Sequence, residues 1–386
     1  MSAVFTDAGH LLGSASITLE LEENGVHKTI VFSGDIGNVD QPIIRDPQLL
    51  KKADYVVMES TYGDRNHTEV WSYTDELAEI IDETLGKGGN VVIPSFAVGR
   101  TQELLYFIRE IKDQKLVKST PNFPVYIDSP LAKAATTVFC GDLHGYLDEQ
   151  ALELVKDGTH MFTFPNLNLV ESSEESKMLN MDTTPKVIIS ASGMCDAGRI
   201  RHHLKHNLWR KECTILFVGY QAVNTLGRSL LEGADNVKLF GESIEVQAEI
   251  CQLTGLSGHA DREGLLKWVN SFEPKPKRVF IIHGEDEVEN IFTQTLTEQG
   301  FNASAPYNGE QWAIGAEGAV CLKEGTRIRI EHHVSEGAAR AATVFQRLLN
   351  AGKRLLRVIE HNEGGANKDL AKFADQINAL CDKWDR

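Results

Sequence analysis

Alternating apolar and polar residues dominate the first sixty positions, and this pattern predicts β-strands. Alternation runs through residues 16–22 and 28–33, and Asn24-Gly25 between them is a dipeptide that favours a tight hairpin turn. A third apolar run, Tyr55–Met58, follows a loop rich in Gly, Asn, Asp and Pro. The chain is therefore expected to begin with three strands, two of which form a hairpin.

From about Asn66 the pattern changes to helical periodicity that alternates with short apolar runs. It predicts helices at residues 71–85, 101–111, 130–154 and 199–208. The runs between them predict strands at residues 90–93, 125–127, 187–190 and 214–218. Such alternation is typical of a parallel sheet that is covered by helices on both faces.

After residue 250 the pattern predicts strand 250–253, helix 262–272, strand 279–282 and helix 287–299. The simplest organisation is one domain interrupted by another. Residues 1–65 and 251–330 would form the host domain, residues 66–250 an inserted α/β domain, and residues 331–386 a helical tail.

Composition and charge limit the function. The chain has 386 residues, 42% of them hydrophobic, which is enough to bury a sizeable core. A formal net charge of -16 argues against broad attraction to a polyanion, so any phosphate binding must be local. No apolar run approaches the ~20 residues that span a bilayer, and six scattered cysteines without C-x-x-C suit a reducing compartment. We therefore expect a cytoplasmic protein with no membrane contact.

Five side chains of metal-binding or acid–base type lie at strand ends or in small-residue loops: His10, Asp35, Glu59, His259 and His283. The carboxyl ends of strands are where open α/β layouts place functional groups. Each residue alone also has a structural explanation, since a lone histidine near a turn is often merely solvated and an aspartate can cap its own turn. Chance is a poorer explanation for the placement of all these residues together.

The motifs around these residues resemble those of the β-CASP nucleases of the metallo-β-lactamase fold, particularly prokaryotic RNA-processing members, over residues 3 to 330. The motifs are Asp7-Ala8-Gly9-His10, Ser33-Gly34-Asp35-Ile36-Gly37, Glu59-Ser60-Thr61-Tyr62-Gly63, Ser257-Gly258-His259-Ala260-Asp261 and Ile282-His283-Gly284-Glu285. The resemblance implies an α/β fold in which an incomplete metallo-β-lactamase αββα sandwich is interrupted by an inserted parallel-sheet β-CASP domain, followed by a helical C-terminal tail.

The resemblance also implies roles for these residues. His10, Asp35 and His283 would bind metal, and Asp35 would also be catalytic because its carboxylate can bridge two ions. Glu59 and His259 would act together in proton transfer, since a carboxylate beside an imidazole stabilises the imidazolium as an acid for a departing 3′ oxygen. A histidine at position 283 is similar to the RNA-acting branch, so single-stranded RNA is the expected substrate.

Serine loops in the inserted domain are similar to phosphate-holding segments of the family. Exposed backbone N–H groups and hydroxyls after a parallel strand can bind phosphate oxygens, although a simple helix cap explains any single loop equally well. A basic segment at residues 199–211 follows the last loop and is either an RNA-backbone contact or a solvated helix face. The candidate RNA phosphate-binding residues are Ser95, Arg100, Ser129, Ser190, Ser192 and Arg199.

One family motif is missing. None of the thirteen histidines forms the H-x-H-x-D-H motif that supplies four of the seven protein ligands for the two zinc ions of these nucleases. We therefore expect none or one weakly bound Zn²⁺ and impaired hydrolysis by this chain, with a homo-oligomer or a further chain that supplies the motif. The alternatives are a non-catalytic RNA-binding or assembly subunit and, less favoured by the large insertion, a small-molecule hydrolase of the same fold.

Overall fold

The structure is a computed structural model that describes residues 1–67, 72–143, 145–253, 257–315, 317–327, 355, 359 and 367–384. It divides into two compact units, Met1–Thr326 and Arg327–Arg386. The described strands are β1 Ser2–Asp7, β2 Ala15–Glu23, β3 Val26–Phe32, β4 Tyr55–Met58, β5 Val91–Pro94, β6 Val125–Asp128, β7 Leu167–Leu169, β8 Val187–Ser190, β9 Thr214–Phe217, β10 Asn236–Leu239, β11 Glu242–Glu245, β12 Glu249–Gln252, β13 Arg278–Ile281, β14 Ala303–Ser304, β15 Gln311–Ile314 and β16 Ala319–Lys323. The described helices are α1 Tyr73–Gly86, α2 Arg100–Asp113, α3 Pro130–Phe139, α4 Glu149–Lys156, α5 Ser173–Met181, α6 Ile200–Asn207, α7 Leu226–Leu231, α8 Arg262–Val269, α9 Asp286–Glu298 and α10 Asn367–Trp384.

The first sheet carries strands in the order β1-β2-β3-β4-β13-β14. Strand β2 is antiparallel to both β1 and β3, whereas β3, β4, β13 and β14 run parallel to one another. The predicted hairpin is confirmed, since Glu23 lies opposite Val26 and both turn residues have positive φ, 52° for Asn24 and 75° for Gly25. Positive φ at both positions matches the twist of the flanking strands.

Strand direction in the first sheet brings several loops together. Strand β1 is antiparallel to β2, which is antiparallel to β3, so β1 runs in the same direction as β3, β4 and β13. The carboxyl ends of these four strands therefore lie at one edge of the sheet. The loops that follow them carry His10, Asp35, Glu59 and His283.

The second sheet is parallel, as the alternation of helices and strands predicts. Its order is β12-β9-β5-β8-β6-β7, and every residue of the central strand β5 is buried. Helix α1 covers it with Leu77, Ile81 and Leu85, which recur at helical spacing. The helix is capped by Ser72, whose hydroxyl oxygen accepts a hydrogen bond from the Asp75 N–H at 3.2 Å. The pairing of β12 with β9 extends this sheet across the expected domain limit between residues 250 and 251. The expected domain limits at 65/66, 250/251 and 330/331 remain a proposal.

The prediction of a single helix at residues 130–154 is wrong. Helix α3 ends at Phe139 and α4 begins only at Glu149, with Asp148 as an extended N-cap whose carboxylate accepts from the Ala151 N–H at 2.6 Å. Just before the cap, Leu147 forms a β-bridge with Ile44. The segment is thus held against a distant loop, a contact that outweighs its local helical periodicity.

The second unit contains helix α10, Asn367–Trp384. The rest of the helical tail expected at residues 331–386 falls largely outside the described residues. Among the helices that the structure describes, none has both the length and the apolar character needed to cross a bilayer.

Candidate metal and catalytic centre

Asp35 lies between two histidines at the strand-end edge of the first sheet. Its Oδ2 is 3.9 Å from Nε2 of His10, and its Oδ1 is 3.4 Å from Nδ1 of His283. The Asp35 and His283 side chains are 43% and 56% exposed, whereas that of His10 is mostly buried. The three predicted metal ligands therefore converge around one carboxylate that remains open to a substrate.

His10 has the environment expected of a metal-binding imidazole. Burial, followed by the nearby charge of His259, lowers its pKa and favours the neutral ring that a metal requires. Its Nδ1 is buried without a hydrogen-bond partner. The ring packs on Gly258, where a Cβ would lie 2.8 Å from Cε1 of His10, so a side chain at position 258 would displace it.

Glu59 is almost completely buried and is held by several donors. It accepts from the Ile36 N–H at 2.5 Å and from the Thr61 N–H at 3.3 Å. Nδ1 of His259 lies 3.0 and 3.1 Å from its two carboxylate oxygens. Burial alone would raise the pKa of Glu59, but the hydrogen bond and charge of His259 outweigh it and the pKa is lowered.

His259 shows the opposite shift. Burial alone would lower its pKa, but the hydrogen bond and charge of Glu59, with a smaller contribution from Asp35, raise it. Its ring centroid is 4.3 Å from that of His10 and 5.8 Å from that of His283. Since Glu59 engages Nδ1, the Nε2 of His259 is the nitrogen available for proton transfer.

Donor atoms in this centre form two overlapping sets, each within 4.8 Å: His10 with Asp35 and His259, and Glu59 with His259 and His283. Imidazole nitrogen and carboxylate oxygen are the ligands that zinc takes together. The unpartnered Nδ1 of His10 and this mixed donor set fit a metal ion. Zinc usually has four ligands, or three and a water. Neither set is the predicted trio of His10, Asp35 and His283, and His259, the predicted proton donor, belongs to both sets.

The candidate phosphate-binding serines have internal partners. The Ser95 hydroxyl lies 3.0 Å from that of Thr101, and the Ser190 hydroxyl donates to the Asp128 carbonyl at 2.9 Å; both serines are buried. Ser129 caps α3. Ser192 is only partly buried, and its hydroxyl donates to the Ala197 carbonyl at 3.2 Å.

The candidate basic residues are also paired. Arg100 forms a salt bridge with Glu103, and both side chains are nearly buried. Arg199 contacts the buried Asp128 at 2.7 Å. Further along the basic segment, Lys205 pairs with Glu242 at 2.7 Å and Arg210 with Glu212 at 2.9 Å. These charges therefore already have partners within the fold, and RNA contact by them stays a prediction.

Comparison with known proteins agrees with the geometry. The model of the Beta-Casp domain matches residues 101–230, and that of the Zn-dependent metallo-hydrolase RNA specificity domain matches residues 243–306. Ribonuclease TTHA0252 of Thermus thermophilus is 37% identical over 310 residues, which cover 80% of this chain and 69% of that protein. The chain belongs to the β-CASP family of metallo-β-lactamase-fold ribonucleases. Both the family and the α/β fold class expected from the motifs are confirmed.

Other β-CASP relatives are longer. Transcription termination factor FttA of Pyrococcus abyssi is 32% identical over 314 residues, 78% of this chain and 47% of that protein. The RNase J-like protein of Methanocaldococcus jannaschii is 32% identical over 296 residues, 76% of this chain and 66% of that protein. The chain thus spans about half the length of the FttA protein it matches.

Some contacts around this β-CASP centre were not expected from the sequence. Nε2 of His67 lies 2.9 Å from the His259 carbonyl oxygen, and the Thr61 hydroxyl lies 3.4 Å from Nδ1 of His283. The hydroxyl of Tyr220, which follows β9, donates to Glu285. Thr61 and Glu285 stand inside quoted motifs, which could have drawn attention to them, but nothing in the local sequence around His67 or Tyr220 marks them.

Proposed function

We propose that this chain acts on single-stranded RNA as a zinc-dependent phosphodiesterase of the β-CASP type. The observation that carries the proposal is the Glu59–His259 contact at 3.0 Å beside Asp35, which itself lies between two histidines. A proton donor thus adjoins a candidate metal site at one sheet edge. The description of the matched RNA specificity domain and the ribonuclease relatives support RNA as the substrate.

His259 supplies the proton in the proposed reaction. A water oxygen forms a new bond to phosphorus and releases one proton to solvent, the bond from phosphorus to the 3′ oxygen breaks, and that oxygen takes a proton as it leaves. The buried Glu59 carboxylate raises the pKa of His259, which favours the charged imidazolium, and fixes Nδ1 towards itself. The proton therefore passes from Nε2 of His259 to the 3′ oxygen.

His10, Asp35 and His283 would hold the metal, with the Asp35 carboxylate between the two rings. A bound zinc ion polarises phosphoryl oxygens and supplies hydroxide at neutral pH. For RNA binding, Ser192 is the best placed of the proposed phosphate contacts because it is partly exposed. The buried Ser95, Ser129 and Ser190 would act by shaping their loops.

We further propose that hydrolysis by this chain alone is slow. The proposed ligands suffice for one zinc ion held weakly, and the thirteen histidines include no H-x-H-x-D-H motif. Full activity would then need another chain that contributes the missing ligands, because a second copy of this chain lacks the motif as well. The same incomplete ligand set favours the alternative of a non-catalytic RNA-binding or assembly subunit.

An RNA cleavage assay separates these functions. The full chain is incubated with labelled single-stranded RNA and added zinc or manganese, and binding is measured in parallel. We expect slow cleavage that falls by about 10²-fold or more in His259→Asn, the usual contribution of a general acid, while RNA affinity is unchanged. His27→Asn, at an exposed strand position away from the centre, is the control. Cleavage that His259→Asn leaves intact would contradict the catalytic assignment, and binding without any cleavage would favour the subunit alternative.

Metal analysis tests the proposed ligand set. Protein dialysed against zinc should retain at most one ion per chain and should lose it to a moderate chelator, because three protein ligands with two exposed side chains hold zinc weakly. His283→Ala should abolish the remaining binding. Two tightly held zinc ions per chain would overturn the proposed impairment.

A further inference from the structure

A cavity of about 460 Å³ lies between the loops that follow β4 and β9. Its volume is in the range of roughly 300–1,000 Å³ that small-molecule sites occupy. Aromatic, guanidinium and amide side chains line it. They include Tyr62, Arg65, His67, Tyr220, Gln221 and Arg228.

The cavity lies beside the candidate catalytic centre, and three of its lining residues connect to the loops of that centre. Tyr62 stands three positions after Glu59 in the same loop. His67 lies 2.9 Å from the His259 carbonyl oxygen, and Tyr220 donates to Glu285, two positions after His283. A strand of RNA whose phosphate reaches the centre would therefore pass the mouth of the cavity.

The aromatic walls are held in fixed orientations. The Tyr62 and His67 rings meet edge to face at 4.5 Å, and Tyr220 approaches Tyr62 edge to face at 6.5 Å. The Arg65 guanidinium lies 4.8 Å from the centre of the Tyr62 ring, which buries that ring. Tyr220 and His67 are only partly buried, so their rings remain available to a ligand.

Both guanidinium groups at the cavity already have carboxylate partners. Arg65 contacts Asp64 at 2.8 Å, and Nε of Arg228 donates to Glu232 at 2.7 Å. Their charges are therefore compensated, and a phosphate group would gain little from them. A neutral, planar base would gain more binding energy here than a phosphate group, because aromatic side chains and guanidinium planes stack on unpaired bases of single-stranded RNA.

We propose that this cavity is a nucleobase subsite, in which a base next to the phosphate at the centre stacks on the Tyr220 ring. The subsite rests on the proposed function in RNA cleavage or binding. The hydrogen bond from the Tyr220 hydroxyl to Glu285 holds the ring in place and ties the subsite to the turn that carries His283. Tyr220 would thus contribute affinity and place the neighbouring phosphate.

An abasic scan tests the subsite. A short single-stranded RNA, and versions that lack one base at successive positions, are bound to the full chain. One position should weaken binding by about fivefold to 100-fold in the unmodified protein, as expected for loss of a stacked base. In Tyr220→Leu, removal of the same base should weaken RNA binding by less than about twofold. Tyr220→Phe should keep most of the effect, because the ring remains to stack although its hydrogen bond to Glu285 is lost.

Tyr307→Leu, which removes a tyrosine that is likewise part-exposed but lies away from the cavity, is the matched control and should keep the effect. As a measurement that needs no variant, 2-aminopurine at the sensitive position should lose fluorescence when it stacks on binding. An unchanged abasic effect in Tyr220→Leu, or unquenched 2-aminopurine, would overturn the subsite while RNA binding stands. If the intact oligonucleotide does not bind at all, the proposed RNA function fails as well.

Discussion

Two neighbouring imidazoles have opposite pKa shifts. The His10 and His259 ring centroids are 4.3 Å apart, yet burial lowers the pKa of His10 while Glu59 raises that of His259. The hydrogen bond of Glu59 to the His259 ring, which the His10 ring lacks, produces this difference. Environments that separate the pKa values of adjacent groups suit them to different roles, and this difference supports the roles proposed above, metal ligand for His10 and proton donor for His259.

The contact between His10 and Gly258 leads to a prediction about metal affinity. Gly258→Ala places a Cβ 2.8 Å from Cε1 of His10, so the ring must shift from its position beside Asp35. Changes that misorient a metal ligand typically cost 10–100-fold in affinity. We expect zinc affinity, measured by competition with a chromogenic chelator, to fall by about that factor.

Gly145→Ala is the control for this prediction, because a Cβ there meets no atom within 4 Å. It should leave zinc affinity unchanged. The melting temperature of both variants should stay close to that of the parent protein, since the Cβ at position 258 meets a ring rather than the backbone. Parent-like zinc affinity in Gly258→Ala would remove His10 from the proposed ligand set.

At the scale of elements, strand ends explain why much of the centre was predictable. Buried runs such as Tyr55–Met58 end in a residue with metal or acid–base chemistry, and parallel strands bring such ends together. Pairing across the sequence was not predictable in this way. Leu147 bridges Ile44 and interrupts the expected helix, and Tyr220 reaches Glu285 from the other sheet. Such contacts depend on tertiary geometry that local periodicity does not encode.

A buried network at the end of β6 joins two helices to the second sheet. Asp128, fully buried, accepts from the Ser176 hydroxyl of α5 at 2.5 Å and lies 2.6 Å from Nε2 of His203 in α6. Arg199 donates to its other oxygen at 2.7 Å. Burial alone would raise the pKa of Asp128, but His203, Ser176 and Arg199 together lower it.

Asp128→Asn should therefore destabilise the chain. It leaves the Arg199 guanidinium without its buried counter-charge, and breaking such a pair costs about 3–5 kcal/mol. Because the folded pKa of Asp128 is below its usual 3.8, the stabilisation is present above that value and is lost as pH falls through the folded pKa. In urea unfolding, the free energy of unfolding of Asp128→Asn should fall below that of the parent protein by the full amount near neutral pH and by less in acid.

Asp113→Asn provides the comparison for this network. Asp113 pairs with Arg109 at 3.0 Å but is 61% exposed, and exposed pairs contribute about 0–1 kcal/mol. The free energy of unfolding of Asp113→Asn should therefore stay close to that of the parent protein at any pH. A similarly small effect for Asp128→Asn would show that the network does not stabilise the second sheet.

At the scale of the whole molecule, the two sheets differ in how their edges are covered. In the second sheet the central strands are buried under helices, whereas β1 of the first sheet pairs only with β2 among the described strands. Val4 and Phe5 on β1 are 52% and 69% exposed, and as neighbours in a strand they point to opposite faces. An open strand edge with apolar side chains on both faces favours pairing with another chain.

We therefore expect the chain to self-associate through β1, with a mass by light scattering that rises with protein concentration. Phe5→Lys should raise the dissociation constant about tenfold or more, because burial of a phenylalanine contributes about 1.5–3 kcal/mol and a lysine at an edge opposes pairing. Met181→Lys alters a side chain that is 74% exposed at the end of α5, away from this edge, and should have no effect. A parent protein that stays monomeric at all concentrations would contradict the expectation. Equal weakening by both substitutions would point to general apolar adhesion rather than to pairing along β1.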